Sequence, residues 1–284
     1  MELTSPKVIR EIQNKFGFNF KKGLGQNFLT SKSVLEDICD AAKPQEGVLE
    51  IGPGFGVLTQ ELSRHSKKVV SIEIDSSLID VLEYTLSECD NVKIVQGDVL
   101  KTDLRKLIKE EFGNTKISIA ANLPYYITTP IITKVLEEKL PINNMVVMVQ
   151  KEVAERLCAK PATKDYGAIT LLCQYYCSPQ ITTIVPAGLF VPPPKVDSAV
   201  LTLHMLEKPR VDVKDEKMFF KTVKSAFSQR RKTLANCISA TFGISKDTLS
   251  DMLISLGIDP KRRGETLSID EFKKVADKLG EITN

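Results

Sequence analysis

The chain has 284 residues, of which 42% are hydrophobic and 26% charged, with a formal net charge of +3. That is enough apolar material for one large domain with a smaller companion, and two domains are expected. No apolar run approaches the ~20 residues of a membrane span, and the opening "MELTSPKVIREIQNKF" interleaves charges throughout. Neither a membrane anchor nor a secretory leader is expected, and the protein reads as cytoplasmic. Six cysteines without a Cys-x-x-Cys pair, and two distant histidines, His65 and His204, speak against a metal site and against Ser/His/Asp catalysis. Cys173 and Cys177 of "CQYYC" are read as reduced core side chains.

Along the chain, short apolar runs predict strands at 47–51, 68–74, 92–96, 116–121 and 145–150. Between them "LTQELSRH", "SLIDVLEYTLSE" and "TPIITKVLEEK" carry apolar residues at three- and four-residue spacing, as helices do. Strand and helix alternating in this way imply an α/β fold, a parallel sheet covered on both faces. After residue 151 the rhythm changes. Two further strands are predicted at 181–185 and 198–206, as a hairpin-like closure. From 207 onward "KMFFKTVKSAFSQRRKTLANCI", "SKDTLSDMLISLG" and "SIDEFKKVADKLG" all show a helical period, so a helical C-terminal domain is expected over 207–284, after a larger domain at 1–206. The segment 221–232 contributes Lys221, Lys224, Arg230, Arg231 and Lys232 with no acid, and "KRR" follows at 261–263.

Chemistry is expected at the carboxyl ends of the strands, where ligands of open α/β sheets bind. "LEIGPGFGVLT" places Gly52, Gly54 and Gly56 between a strand and a helix, where the backbone can approach a ligand and helix N–H groups are free. The spacing is not the dinucleotide fingerprint G-x-G-x-x-G, which counts against a dehydrogenase. Glu73 ends the next strand, where its carboxylate can accept from both hydroxyls of a ribose, and Asp98 follows the third, placed to receive the exocyclic amine of an adenine. The competing structural reading leaves Glu73 solvated and makes Asp98 a helix cap. The fourth strand runs into "IAANLPYYITTP", an amide, a rigid proline and two aromatic rings. An ordinary loop is the alternative there.

The ordered set "EIGPG", "IEID", "GD" and "NLPY" resembles the S-adenosylmethionine-dependent methyltransferases that modify adenine N6. "GLGQNFL", "QKEVAERL", "YGAIT", "QYYC", "FVPPPKVDSAV" and "FSQRRKTL" narrow the resemblance to the KsgA family, the small-subunit (16S) ribosomal RNA adenine N6-dimethyltransferases, over residues 23–234. The resemblance implies a Rossmann-like class I sheet with a small all-helical C-terminal domain. It implies S-adenosyl-L-methionine as cofactor and dimethylation of two adjacent adenosines in a hairpin loop near the 3′ end of the small-subunit rRNA. It further implies a monomer working on the immature 30S subunit during its biogenesis, with neither metal nor membrane involved. Gln26, Asn27, Leu29, Gly52, Gly54, Glu73, Ile74, Asp98, Val99 and Asn122 fall on its cofactor-binding positions, and 1–30 becomes a lid segment. Phe190 falls on an aromatic that packs against the target base, although a plain core role competes.

On this reading "NLPY" has a chemical purpose. The Asn122 amide oxygen and the Leu123 carbonyl accept the two N6 hydrogens, Pro124 stiffens the turn, and Tyr125 offers a face for stacking, worth about 1–3 kcal/mol. The basic segment 221–232 is read as contacting RNA phosphates, its cations recurring at helical spacing, against the alternative of a solvated helix face. Two rival functions stay open. One is a large-subunit rRNA adenine methyltransferase of the macrolide-resistance type. The other is a ribosome-assembly factor without catalysis.

Overall fold

In this computed structural model residues 1–17 and 27–283 are described; Gln26, and with it part of the expected lid, lies outside them. The chain forms two compact units, residues 1–154 with 179–205, and residues 155–178 with 206–284. The segment 155–178, which the sequence reading left with the first domain, clusters with the C-terminal helices.

The first unit is built on a seven-stranded sheet. In chain order its strands are β2 (Val48–Ile51), β3 (Val69–Glu73), β4 (Val92–Gln96), β5 (Ile117–Asn122), β6 (Ile142–Gln150), β7 (Cys177–Val185) and β9 (Ser198–Met205), and across the sheet they run β4-β3-β2-β5-β6-β9-β7. β2 pairs in parallel with both β3 and β5, so the strand order reverses direction there and a crevice opens between the β2 and β5 ends. β6 joins β5 in parallel and takes β9 antiparallel. All residues of β2 and β3 are buried, as expected of strands covered on both faces.

The helices α2 (Lys32–Ala42), α3 (Val57–His65), α4 (Ile79–Thr85), α5 (Leu104–Phe112) and α6 (Thr128–Glu137) belong to this unit, with α1 (Pro6–Phe16) ahead of them. Each buries an apolar stripe; α2 contributes Val34, Leu35, Ile38, Cys39 and Ala42 to the core. The expected hairpin-like closure is present, with β7 and β9 as neighbours at the sheet edge; within their connection the chain also forms β8 (Phe190–Val191), which was not expected and pairs antiparallel with β1 (Phe28–Leu29) in a separate two-stranded ribbon. The apolar pair Phe190–Val191 is too short to announce a strand.

The second unit holds α8 (Ala168–Tyr176), α9 (Glu216–Ala226), α10 (Leu234–Phe242), α11 (Lys246–Ser255) and α12 (Ile269–Thr283), while α7 (Lys151–Leu157) spans the junction of the two sequence segments. Tyr175 lies at the centre of its aromatic packing, 5.1 Å from the Phe219 ring and 4.8 Å from Tyr176. Cys173 and Cys177 are buried free thiols, and the Cys177 Sγ–H donates to the Cys173 carbonyl at 2.9 Å. The stretch read as one helical segment, 217–238, is broken. α9 stops at Ala226, and Thr233 caps a new helix by accepting from the Asn236 N–H at 3.4 Å. Of the five basic residues chosen from this stretch, Lys221 and Lys224 are helical, and Arg230, Arg231 and Lys232 occupy the intervening turn, so no single helical face carries them.

Candidate active site

The sheet register brings the predicted strand ends together. Ile51 of β2 stands beside Ile72 of β3 and Ala121 of β5, one residue short of Glu73 and Asn122 respectively. Around the resulting cavity lie Asn27, Leu29, Gly52, Gly54, Glu73, Ile74, Asp98, Val99, Asn122, Leu123, Pro124, Tyr125 and Phe190, which is every predicted cofactor and catalytic position among the described residues.

The glycine turn after β2 requires its sequence. Gly52 has φ +71°, and a Cβ there would meet nothing within 4 Å, so the bare backbone faces open space. Gly54 has φ +61°, and a Cβ would lie 2.8 Å from Cε1 of Phe28, whose ring stacks on Phe55 at 4.1 Å. A side chain at Gly54 would push away the first strand of the β1–β8 ribbon.

Glu73 is buried rather than solvated. Its Oε1 accepts the Asp75 N–H at 2.8 Å and its Oε2 the Gly54 N–H at 3.4 Å, so the carboxylate is oriented by main chain and, with about four lone-pair sites, keeps acceptor capacity for a ligand hydroxyl. Burial raises its pKa, against the opposing pull of those N–H donors. Asp98 lines the cavity, and its Oδ1 accepts the Leu100 N–H at 2.9 Å within a turn, so it does not cap a helix. Ile74 is 54% exposed and Val99 is buried, and both line the cavity.

At the end of β5 the Asn122 Nδ2–H donates to the Asn27 carbonyl at 3.2 Å. With the amide nitrogen engaged, its acceptor oxygen takes the other side. The Leu123 N–H donates to the Met148 carbonyl at 3.2 Å, and the Pro124 carbonyl accepts from the Ile127 N–H at 3.1 Å, which ties the turn at both ends. Tyr125 is half-buried, and its hydroxyl is 2.9 Å from Ser198 Oγ at the start of β9. Burial raises its pKa, so the phenol is neutral at ordinary pH. "NLPY" and "FVPPPKVDSAV" therefore meet through one hydrogen bond, a link no local pattern showed.

Phe190 is buried in the core and also lines the cavity from β8. The β1–β8 ribbon straps Asn27 and Leu29 to the site: Leu29 pairs with Phe190, and the Thr30 N–H donates to the Leu189 carbonyl at 2.9 Å.

Among the cavity residues to which sequence reasoning gave no role, Glu50 and Tyr126 carry polar groups. Glu50, within the apolar run of β2, is 1% exposed; its Oε2 accepts from Thr59 Oγ1 at 2.6 Å and Ser71 Oγ at 2.7 Å, while Oε1 has no partner among the described residues. Burial pushes its pKa up to about 7, partly offset by the two hydroxyl donors. The signal was present: a lone acid in "VLEI" has no place in a strand that is merely buried. Tyr126, beside Tyr125, also lines the cavity and is 60% exposed.

The strand order and the ligand-facing strand ends define a class I S-adenosylmethionine-dependent methyltransferase fold. The sequence profile of the ribosomal RNA adenine dimethylase family matches residues 17–280, and the chain belongs to that family. It is 47% identical over 272 residues to the ribosomal RNA small subunit methyltransferase A of Clostridioides difficile (strain 630), covering 95% of this chain and 94% of the relative. Identity is 49% over 284 residues with the protein of the same name from Bacillus cytotoxicus, covering 98% and 97% of the two chains. Among solved structures it resembles a dimethyladenosine transferase from Plasmodium falciparum, with TM-score 0.76 and 28% identity over 89% of this chain and 98% of the other. The fold also matches the 23S rRNA methyltransferase ErmE, with TM-score 0.68 and 24% identity over 89% and 99%.

Proposed function

We propose that this protein dimethylates the N6 of two adjacent adenosines in a hairpin loop near the 3′ end of small-subunit rRNA, using S-adenosyl-L-methionine, during assembly of the small ribosomal subunit in the cytoplasm. The observation that carries the reading is the anchored Asn122 amide at the end of β5, in one cavity with Gly52, Glu73 and Asp98. The names of the bacterial relatives, ribosomal RNA small subunit methyltransferase A, support the small subunit as target.

The cavity fits the cofactor by its own chemistry: an open glycine backbone at Gly52, a buried carboxylate at Glu73 with lone pairs to spare, and an apolar pair beside Asp98. Glu73 would hold the ribose hydroxyls, Asp98 the adenine amine, Ile74 and Val99 the adenine faces, and Asn27 and Leu29 the outer side. Once bound, the cofactor supplies an electrophilic sulfonium methyl.

The remaining work belongs to the chain. Adenine N6 is a poor nucleophile because its lone pair is delocalised into the ring. The Asn122 Oδ1 and the Leu123 carbonyl accept its two hydrogens and favour a tetrahedral nitrogen with its lone pair directed at the methyl group. Tyr125, fixed by Ser198, and Phe190, fixed in the β1–β8 ribbon, hold the base between aromatic faces, which orients it for an in-line approach. The methylated amine is acidic enough to release its proton to water, so no basic side chain is needed. The target adenine enters unpaired or flipped. Lys221, Lys224, Arg230, Arg231 and Lys232, all exposed, contact RNA phosphates, although the Lys221 ammonium also lies 4.4 Å over the Phe242 ring. The protein acts as a monomer.

Deleting the gene is expected to remove N6,N6-dimethyladenosine from small-subunit rRNA, and a plasmid copy to restore it. Persistence of the modified nucleoside in the deletion strain would overturn the proposal.

A further inference from the structure

Three stretches of the helical unit, distant in sequence, are tied together by hydrogen bonds to main-chain carbonyls. Arg230 Nη2 donates to the Lys164 carbonyl at 2.5 Å. The Ala162 N–H donates to the Glu265 carbonyl at 2.7 Å, and the Leu234 N–H to the Arg262 carbonyl at 2.7 Å. Gly264 seats the last stretch so closely against α9 that a Cβ would lie 2.7 Å from the Ala226 carbonyl oxygen. The segments 160–164, 229–232 and 261–263 therefore form one neighbourhood.

They bring exposed cations with them: Lys160, Lys164, Arg230, Arg231, Lys232 and Lys261. None of the six forms an ion pair with a carboxylate among the described residues, whereas Arg262 is turned onto Glu271 at 2.5 Å and Thr266, holding the bend in shape. Gathering like charges raises the free energy of the folded unit, and a polyanion relieves that repulsion. A lipid surface would also need apolar side chains to insert. The exposed large hydrophobic residues of this unit, Ile254 and Ile282, both lie outside the three stretches. The chemistry favours closely spaced phosphates on a polar backbone.

We propose that 160–164, 229–232 and 261–263 form a single grip for RNA backbone phosphates, in which Lys160 and Lys164 work with the turn that bears Arg230 to Lys232. This rests on the reading of the protein as an rRNA methyltransferase and extends its RNA surface to a loop no basic run announced. The grip supplies affinity without sequence information, and the choice of adenine stays with the cavity.

The test is equilibrium binding of the full-length protein to small ribosomal subunits from cells lacking the gene, across a salt series. For Lys160→Ala/Lys164→Ala the slope of log K against log salt should become shallower by about 1 per lysine. Affinity should fall roughly tenfold, the melting temperature and S-adenosylmethionine affinity should not change, and Lys160→Arg/Lys164→Arg should bind as the parent does. If the parent binds and the double alanine variant matches it in affinity and slope, the grip is overturned. If the parent itself fails to bind small subunits, the functional reading fails first. Parent binding to phosphatidylglycerol vesicles but not to RNA, lost in the same variant, would transfer the surface to a membrane and also overturn the proposal.

Discussion

In the parallel sheet the predicted acids and amide sit where strands stop, whereas in the helical unit the cations of the proposed grip come from turns and loops, among them Lys164 and Arg230, 66 positions apart. A strand end fixes its residue through register: once Ile51 lies beside Ile72 and Ala121, the positions of Glu73 and Asn122 follow. A four-residue motif can therefore carry a site. Surface cations have no such register, and only tertiary tethers decide which of them share a face. The chemistry of the protein is local in sequence, and its grip on a large substrate is not.

That comparison can be broken most sharply at Asn122. Asn122→Ala should lower methyl transfer by about 10²–10³-fold, as loss of a preorganised polar contact does, while leaving S-adenosylmethionine affinity close to that of the parent. Single-turnover transfer and calorimetry read the two separately, and equal losses in both would deny Asn122 its acceptor role.

The Glu50 carboxylate should show itself in stability against pH. Its pKa in the folded protein, about 7, lies above the ordinary value of 4.5, so between these limits the folded state holds a proton that the unfolded state has lost. Stability therefore falls as pH rises from 4.5 through 7 and levels off above, by about 3 kcal/mol from this group. Glu50→Gln should flatten that part of the denaturant-midpoint profile; an unchanged profile would remove Glu50 as its source.

Glu73→Ala should weaken S-adenosylmethionine binding about 10–100-fold, the size of lost hydrogen bonds to a charged group. Calorimetry checks this, and an unaltered affinity would take Glu73 out of the cofactor side. The smallest effect belongs to Tyr125→Phe, which keeps the ring and loses the Ser198 contact. A cost of about 0.5–1.5 kcal/mol, seen as a several-fold rise in KM for the subunit with cofactor affinity unmoved, is expected.

Much of this was legible in the sequence because the parallel strands are continuous apolar runs and their ends carry unlike residue types: glycine, acid, acid, amide. What escaped depended on non-local packing. Phe190–Val191 becomes a strand only because Phe28–Leu29 lies beside it, and Ser198 matters only because β9 starts next to the "NLPY" turn. The helix read across 217–238 shows the opposite failure, with periodicity continuing through a turn that the Thr233 cap interrupts. Segment 155–178 was left with the first domain because nothing in its composition shows that its helix α8 packs against α9.

The central claim is chemical and is most directly tested by incubating the protein with labelled S-adenosylmethionine and separated small and large ribosomal subunits from cells lacking the gene, then digesting the RNA for nucleoside mass spectrometry. The account predicts N6,N6-dimethyladenosine on small-subunit RNA alone, two residues per subunit. Label on large-subunit RNA, or none despite measurable cofactor binding, would contradict it.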